Sequence, residues 1–404
     1  MQVIPLSGPA LRERFQALDG FLLSHQHLWR PKPFTERQLP WESQHPELAT
    51  WLRSRSLAEA EAAHNHPELL AAPAPFATIA TQAIALGAVG ALPRTQRPAP
   101  NSRLSTGVPG RKWQQIAAFA DCLQFQQTPQ HWLDWCAGKG HLGRLLAQDG
   151  SALSCLEYDP ALVEAGQQLS QRAGLKAEHH RQDVFNADTA SYLHAEHTPV
   201  ALHACGDLHV HLLQLASKAG CQQLAVAPCC YNRIHTDNYQ PLSSAAQASA
   251  LQLSKEDLGL PLSETVTAGA RVRRQRNSSM ARRLAFDHLQ RELSGIDQYL
   301  PTPSLPTAWL DKSFADYCRD LAALKDLPTA PARDWAALEV LGWQRLAQVR
   351  NLELVRGLFR RPLELWLLLD RALYLQAQDY RVSLGTFCPP QLSPRNLLLL
   401  AERN

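Results

Sequence analysis

The stretch Asp134-Trp-Cys-Ala-Gly-Lys-Gly140 limits the fold more than any other part of this chain. It joins a short apolar run, His131–Trp135, to a helical pattern over Leu142–Gln148. A glycine-rich turn in that setting lets the backbone approach a ligand closely, and the helix amides that follow point at its charged groups. The alternation continues downstream. Ser154–Tyr158 reads as a strand, Ala161–Arg172 as a helix and His180–Phe185 as a short strand or turn. Val200–Ala204 and Leu224–Pro228 read as strands around a helix at Leu208–Ala219. Strands that alternate with helices predict a parallel sheet covered on both faces.

Around this block the texture differs. Leu11, Phe15, Leu18, Phe21 and Leu22 recur at helical spacing, and Leu57–Asn65 and Phe76–Leu92 read as further helices. Pro93–Arg111 collects Pro, Ser, Asn and Gly and reads as a linker or loop. Lys112–Phe125 is an amphipathic helix. From Ser243 to Arg360 the pattern is again helical and polar. The end reads as a helix (Leu363–Gln378) and two strands (Tyr380–Phe387 and Asn396–Ala401), which would finish the same sheet. The expected organisation is a helical region with linker at 1–108, an α/β core at 109–242, a helical insertion at 243–360, and 361–404 completing the core.

Several carboxylates stand where a nucleoside cofactor needs them. Glu157 lies 19 residues after Gly138 at a strand end, near the spacing at which a carboxylate takes ribose hydroxyls. Asp159 is its rival, although Asp159-Pro160 also suits a helix N-cap. Gln182-Asp183-Val184-Phe185 offers an acid and a following backbone amide for an adenine ring. Gly138-x-Gly140-x-x-Gly143 matches the NAD fingerprint literally. Asp134 ahead of the glycines and Asp183 after the third strand favour S-adenosylmethionine (SAM) instead. The expected cofactor residues are Asp134, Cys136, Gly138, Gly140, Glu157, Asp183, Val184, His203 and Cys205.

His203-Ala-Cys-Gly-Asp207 and Ala227-Pro-Cys-Cys-Tyr-Asn232 close the fourth and fifth strands, so both should line the ligand crevice. Asp207 is the expected base or orienting group, with helix capping as its structural alternative. Tyr231 would stack on a base or bond the nucleophile, or else fill the core. Cys229 and Cys230 would shape the pocket or accept a methyl group, or else behave as buried small hydrophobes. These cysteines, with Cys205, His203, His209, His211 and His235, lack a standard zinc-ligand pair, and no metal is expected.

Met1–Arg14 has no apolar core of a signal peptide, and no apolar run reaches the length of a membrane span. Nine cysteines without a CxxC pair fit reduced thiols in a cytoplasm. A net charge of +3 does not by itself mark a nucleic-acid binder. Its distribution says more: Arg271, Arg273, Arg274, Arg276, Arg282 and Arg283 cluster with no acid between Glu264 and Asp287. Such a cluster can track a phosphate backbone or form a solvated helix face.

The trio DWCAGKGHL, LHACGDL and APCCYN resembles a methyltransferase family with motifs of the form AGKGxLS, LHxCGDL and CCYH. That family includes methyltransferase-like proteins labelled "ribosomal RNA adenine dimethylase domain-containing". A tRNA acceptor-stem 2′-O-methyltransferase is a more distant relative. Leu368–Gln376 and Leu392–Asn396 look like it too, so the resemblance covers roughly 112–240 and 364–401. It implies an α/β class I Rossmann-like methyltransferase sheet, SAM as cofactor and RNA as the favoured substrate. Asn232 replaces the relatives' histidine, which puts any chemistry of that histidine in doubt here. The Asn/Asp-Pro-Pro-aromatic signature of many amino-methyltransferases is absent. The leading expectation is a cytoplasmic RNA methyltransferase. The alternatives are a methyltransferase of a protein or small metabolite, and a non-catalytic SAM-binding protein.

Overall fold

The computed structural model describes residues 3–95, 102–263 and 269–404. Eight strands form one sheet: β1 (Leu6–Ser7), β2 (His131–Trp135), β3 (Ala152–Glu157), β4 (Ala177–Arg181), β5 (His197–Leu202), β6 (Gln223–Ala227), β7 (Tyr380–Thr386) and β8 (Leu397–Arg403). Their order is β1-β7-β8-β6-β5-β2-β3-β4. The run β2 to β6 pairs in parallel, and β8 is antiparallel to both β6 and β7. Without the edge strand β1, this is the order of the Rossmann-like methyltransferase fold. The central strands are buried on both faces, which is why they read as apolar runs and not as alternations.

The chain steps outward from β2 to β3 and β4, returns, and steps the other way from β5 to β6. A crevice therefore opens between the carboxyl ends of β2 and β5, where the strand order reverses. Both segments singled out in the sequence leave these ends: the glycine turn follows β2, and His203–Asp207 follows β5.

The molecule divides into two units, Met1–Leu23, Leu86–Ser263 and Arg361–Asn404 against Ser24–Ala85 and Glu264–Arg360. The expected boundaries are corrected in two places. The first residues join the sheet unit, because Leu6 and Ser7 pair with Leu384 and Ser383 and because Phe15 packs on Trp366 at 5.2 Å. Residues 239–263 also stay with the sheet unit. There the carboxylate of buried Asp370 accepts from the Tyr239 hydroxyl and from the amides of Leu242 (2.9 Å) and Ser243 (2.7 Å). Of the expected linker, residues 96–101 lie outside the described residues. On its near side Leu92 donates its amide to Thr386, and Ala91 bridges the same residue.

The second unit joins distant parts of the sequence. Helix Trp335–Gly357 presents buried Asn351, whose amide donates to the carbonyls of Arg55 and Ser56 and whose oxygen accepts from Arg55 Nε at 3.0 Å. Arg345 donates to the carbonyls of Pro33 and Glu36. Helix Ala270–Ser294 supplies Ala285, Phe286 and Leu289 to a core shared with Phe314, Tyr317 and Leu321.

Candidate active site

The turn after β2 runs through three left-handed residues: Cys136 at φ 57°, Gly138 at 56° and Gly140 at 68°. At Gly140 a side chain would also meet His179 Cε1 at 2.6 Å. Cys136 therefore takes, as a cysteine, a conformation that usually costs a non-glycine residue about 1–2 kcal/mol. Glu157, at the end of β3, clamps the turn from below. Its Oε2 accepts from the Gly138 amide at 2.8 Å and its Oε1 from the Asp159 amide at 3.0 Å. Asp159 caps the helix Pro160–Arg172 by accepting from Ala161, so its capping role is the one the structure shows.

Asp134 is 3% exposed, and its Oδ2 accepts from the Gly143 amide at 2.9 Å. Burial raises its carboxyl to about 7 against that hydrogen bond. Through that bond Asp134 ties the turn to the following helix. Asp183 is half-buried and accepts from the Phe185 amide at 3.0 Å, while the Val184 side chain is buried.

His203 ends the run from β5 at φ 65°. Its Nε2 lies 3.0 Å from Gln115 Oε1, and Gln115 Nε2 donates to the Leu392 carbonyl. That second bond fixes which end of the amide faces the imidazole. Nε2 therefore carries the proton, and Nδ1 keeps its lone pair. Burial, with the charges of Lys112 and Arg395, lowers this histidine to about 4, so it is neutral at pH 7. Gln115 has no motif to mark it in the sequence; only its place on helix Gly110–Asp121 brings it here.

Asp207 opens the helix Asp207–Ala219, but its carboxylate does not accept from that helix. Oδ2 accepts from the His235 amide at 2.8 Å and pairs with His235 Nδ1 at 2.9 Å. Oδ2 of the expected base or orienting group thus fixes the loop after β6. His235 in turn meets Phe185 edge-on at 4.6 Å, which joins the loops after β4 and β6. Gly206 allows the close approach. At φ 51°, any Cβ there would sit 1.9 Å from the Arg233 carbonyl oxygen.

Tyr231 is 1% exposed and packs beneath Arg371 and against His209. It has no face left for a base, so the stacking role is corrected to a core aromatic. Arg371 Nε donates to His209 Nε2 at 2.7 Å, and His209 Nδ1 reaches the Ala204 carbonyl. Cys205 and Cys229 bring their sulfurs to 3.3 Å, and Cys230 joins them. The hydrogen bond from Cys229 holds the Cys205 thiol below its ordinary value, against burial. Cys229 is pushed up correspondingly.

Of the six arginines, Arg271, Arg273, Arg274 and Arg276 are exposed on helix Ala270–Ser294. Arg282 is corrected to a structural role. It donates to the carbonyls of Trp309, Leu310 and Lys312 and pairs with Glu339. Arg283 donates to the Pro303 carbonyl.

Residues 111–237 match the model of a family described as a methyltransferase domain. This segment holds β2 to β6 and every cofactor residue expected from the sequence. Among solved structures, coclaurine N-methyltransferase bound to N-methylheliamine and SAH is similar at 12% identity, with 97% of this chain and 95% of that chain covered and a TM-score of 0.27. A second, from work on conversion of a disulfide bond into a thioacetal group during echinomycin biosynthesis, is similar at 16% identity, over 55% of this chain and 70% of that chain, with a TM-score of 0.23. No curated protein matches the chain. Among the described residues no helix is long and apolar enough to cross a membrane.

Proposed function

We propose that this chain is a class I SAM-dependent methyltransferase acting on RNA. The reading rests above all on one observation: the left-handed turn Cys136–Gly140, clamped by Glu157, stands at the crevice where the strand order reverses. The site suits SAM. The open backbone at Gly138 leaves room for a close ligand, with no neighbouring atom within 4 Å of where a Cβ would be. On this reading half-buried Glu157 takes the ribose hydroxyls, and half-buried Asp183 with the Val184 backbone takes the adenine. Bound there, SAM supplies an electrophilic methyl group on a sulfonium, a good leaving group.

The protein's own part is to orient the nucleophile and receive its proton. Neutral His203, with its Nδ1 lone pair, accepts a hydrogen bond from the nucleophile. At a value near 4 it orients more than it deprotonates. Asp207 holds His235 and the loop over the crevice rim. RNA is favoured by the resemblance of the motifs and by the four exposed arginines of helix Ala270–Ser294, whose forked donors suit phosphates.

The test is tritium transfer from labelled SAM into an extract of a strain lacking the gene, with RNase and protease treatments in parallel. Label removed by RNase alone supports the reading. Label that resists RNase and falls to protease, or that runs with small molecules, overturns the RNA substrate.

A further inference from the structure

Cys205 leaves β5, while Cys229 and Cys230 leave β6, and 23 residues separate Cys205 from Cys229 in the sequence. In space their three sulfurs lie within 4.8 Å of one another, and Cys205 and Cys229 are 3.3 Å apart. A tetrahedral zinc with Zn–S bonds of about 2.3 Å sets its sulfurs roughly 3.8 Å apart, a spacing that these values bracket. We propose that Cys205, Cys229 and Cys230 form a thiolate site for a divalent cation of the zinc class.

The two loops are fastened independently of any ion. His203 donates its amide to Ala227, Asp207 to Arg233, and Arg233 to Cys230. The sulfurs are therefore presented on a frame already built, which lowers the ordering cost of binding. Three soft sulfur donors select zinc-like ions over magnesium or calcium, which take oxygen. Uptake releases the thiol protons to solvent and leaves three thiolates around a doubly charged ion. The guanidiniums of Arg233, beside Cys205, and Arg395, beside Cys230, offset the remaining negative charge. Three protein ligands leave the fourth position to water or a bound nucleophile. The inference does not depend on the methyl-transfer reading, since the site would bind its ion whatever the substrate.

The experiment uses the full chain, purified reduced and without oxygen. Plasma mass spectrometry of the protein should find about one zinc per chain. After chelation, titration with cobalt(II) should bring up thiolate-to-cobalt charge-transfer bands and the visible spectrum of a tetrahedral site. Cys205→Ser, Cys229→Ser and Cys230→Ser should each weaken cobalt binding by more than the roughly tenfold that loss of a mere outer-shell partner costs. Cys318→Ser, in the other unit, should leave it unchanged. Should a serine variant misfold, the cobalt spectrum of the native chain decides alone. A reduced native chain that shows no charge-transfer band overturns the proposal, as does zinc retained by the triple serine variant. Stoichiometric copper in place of zinc overturns the class of ion.

Discussion

Single residues of this site carry backbone conformations that their side chains resist. Cys136 and His203 are both left-handed and both stand at the mouth of the crevice, where strain of about 1–3 kcal/mol per residue persists only under strong surrounding constraint. Gly206 shows the constraint in its plainest form. It sits at φ 51° with the Arg233 carbonyl oxygen 1.9 Å from any Cβ, so Gly206→Ala must push apart the loops after β5 and β6. We expect a loss of about 2–4 kcal/mol in urea unfolding. A change under 1 kcal/mol would mean that the two loops move freely, and the fixed geometry assigned to Asp207 and His235 would fall with it.

Between elements, a buried polar network does what an apolar contact would do elsewhere. Asp370 and Arg371, on helix Arg360–Ala377, are 0% and 1% exposed. Asp370 gathers Tyr239, Leu242 and Ser243, and Arg371 gathers Tyr239, His209 and the Leu367 carbonyl. The two side chains share the Tyr239 hydroxyl, so removing one leaves buried polar partners of the other network unsatisfied. Asp370→Ala should cost about 3–5 kcal/mol, because three donors lose their acceptor at once. Equilibrium unfolding measures it, and a loss below 1 kcal/mol would show that water enters to replace the carboxylate. The motif-like stretch Leu368–Gln376 is thus a fastening for the segment after β6.

On the scale of the molecule, buried neutral histidines set the acid limit of the fold. His141, His179, His197 and His203 are lowered to about 4, burial being the largest cause for each, and burial also holds His209 well below its ordinary value. In the unfolded chain each returns to about 6.5 and takes up a proton first as the pH falls. Their contribution to stability is complete above about pH 6.5 and is lost as the pH falls from there to about 4. Asp134 acts in the opposite sense, since it keeps a proton up to about 7 in the folded state. One such group against five leaves the net sign with the histidines. The melting temperature should therefore fall steadily from pH 7 to pH 4.5 in calorimetry. A flat profile over that range would show these imidazoles reaching solvent.

Patterns along the chain account for the parts of this protein that depend on near neighbours. The parallel sheet follows from runs of apolar residues between helical periods, and His131–Trp135 is a strand with the bounds its pattern predicts. The glycine turn, Glu157 at the end of β3 and the exposed arginines were legible for the same reason, because spacing along the chain sets their place. Contacts between residues far apart in sequence depend on how the elements pack. Tyr231 looks like a stacking group until Arg371 and His209 cover it, and nothing along the chain shows that Oδ2 of Asp207 ties down His235. Three cysteines without a ligand motif become one cluster only because β5 and β6 are adjacent in the sheet. Residues 24–85 share a unit with residues 264–360, where Asn351 and Arg345 donate to their carbonyls. Buried polar groups take whatever partner the fold brings within reach, and no periodicity along the chain records that choice.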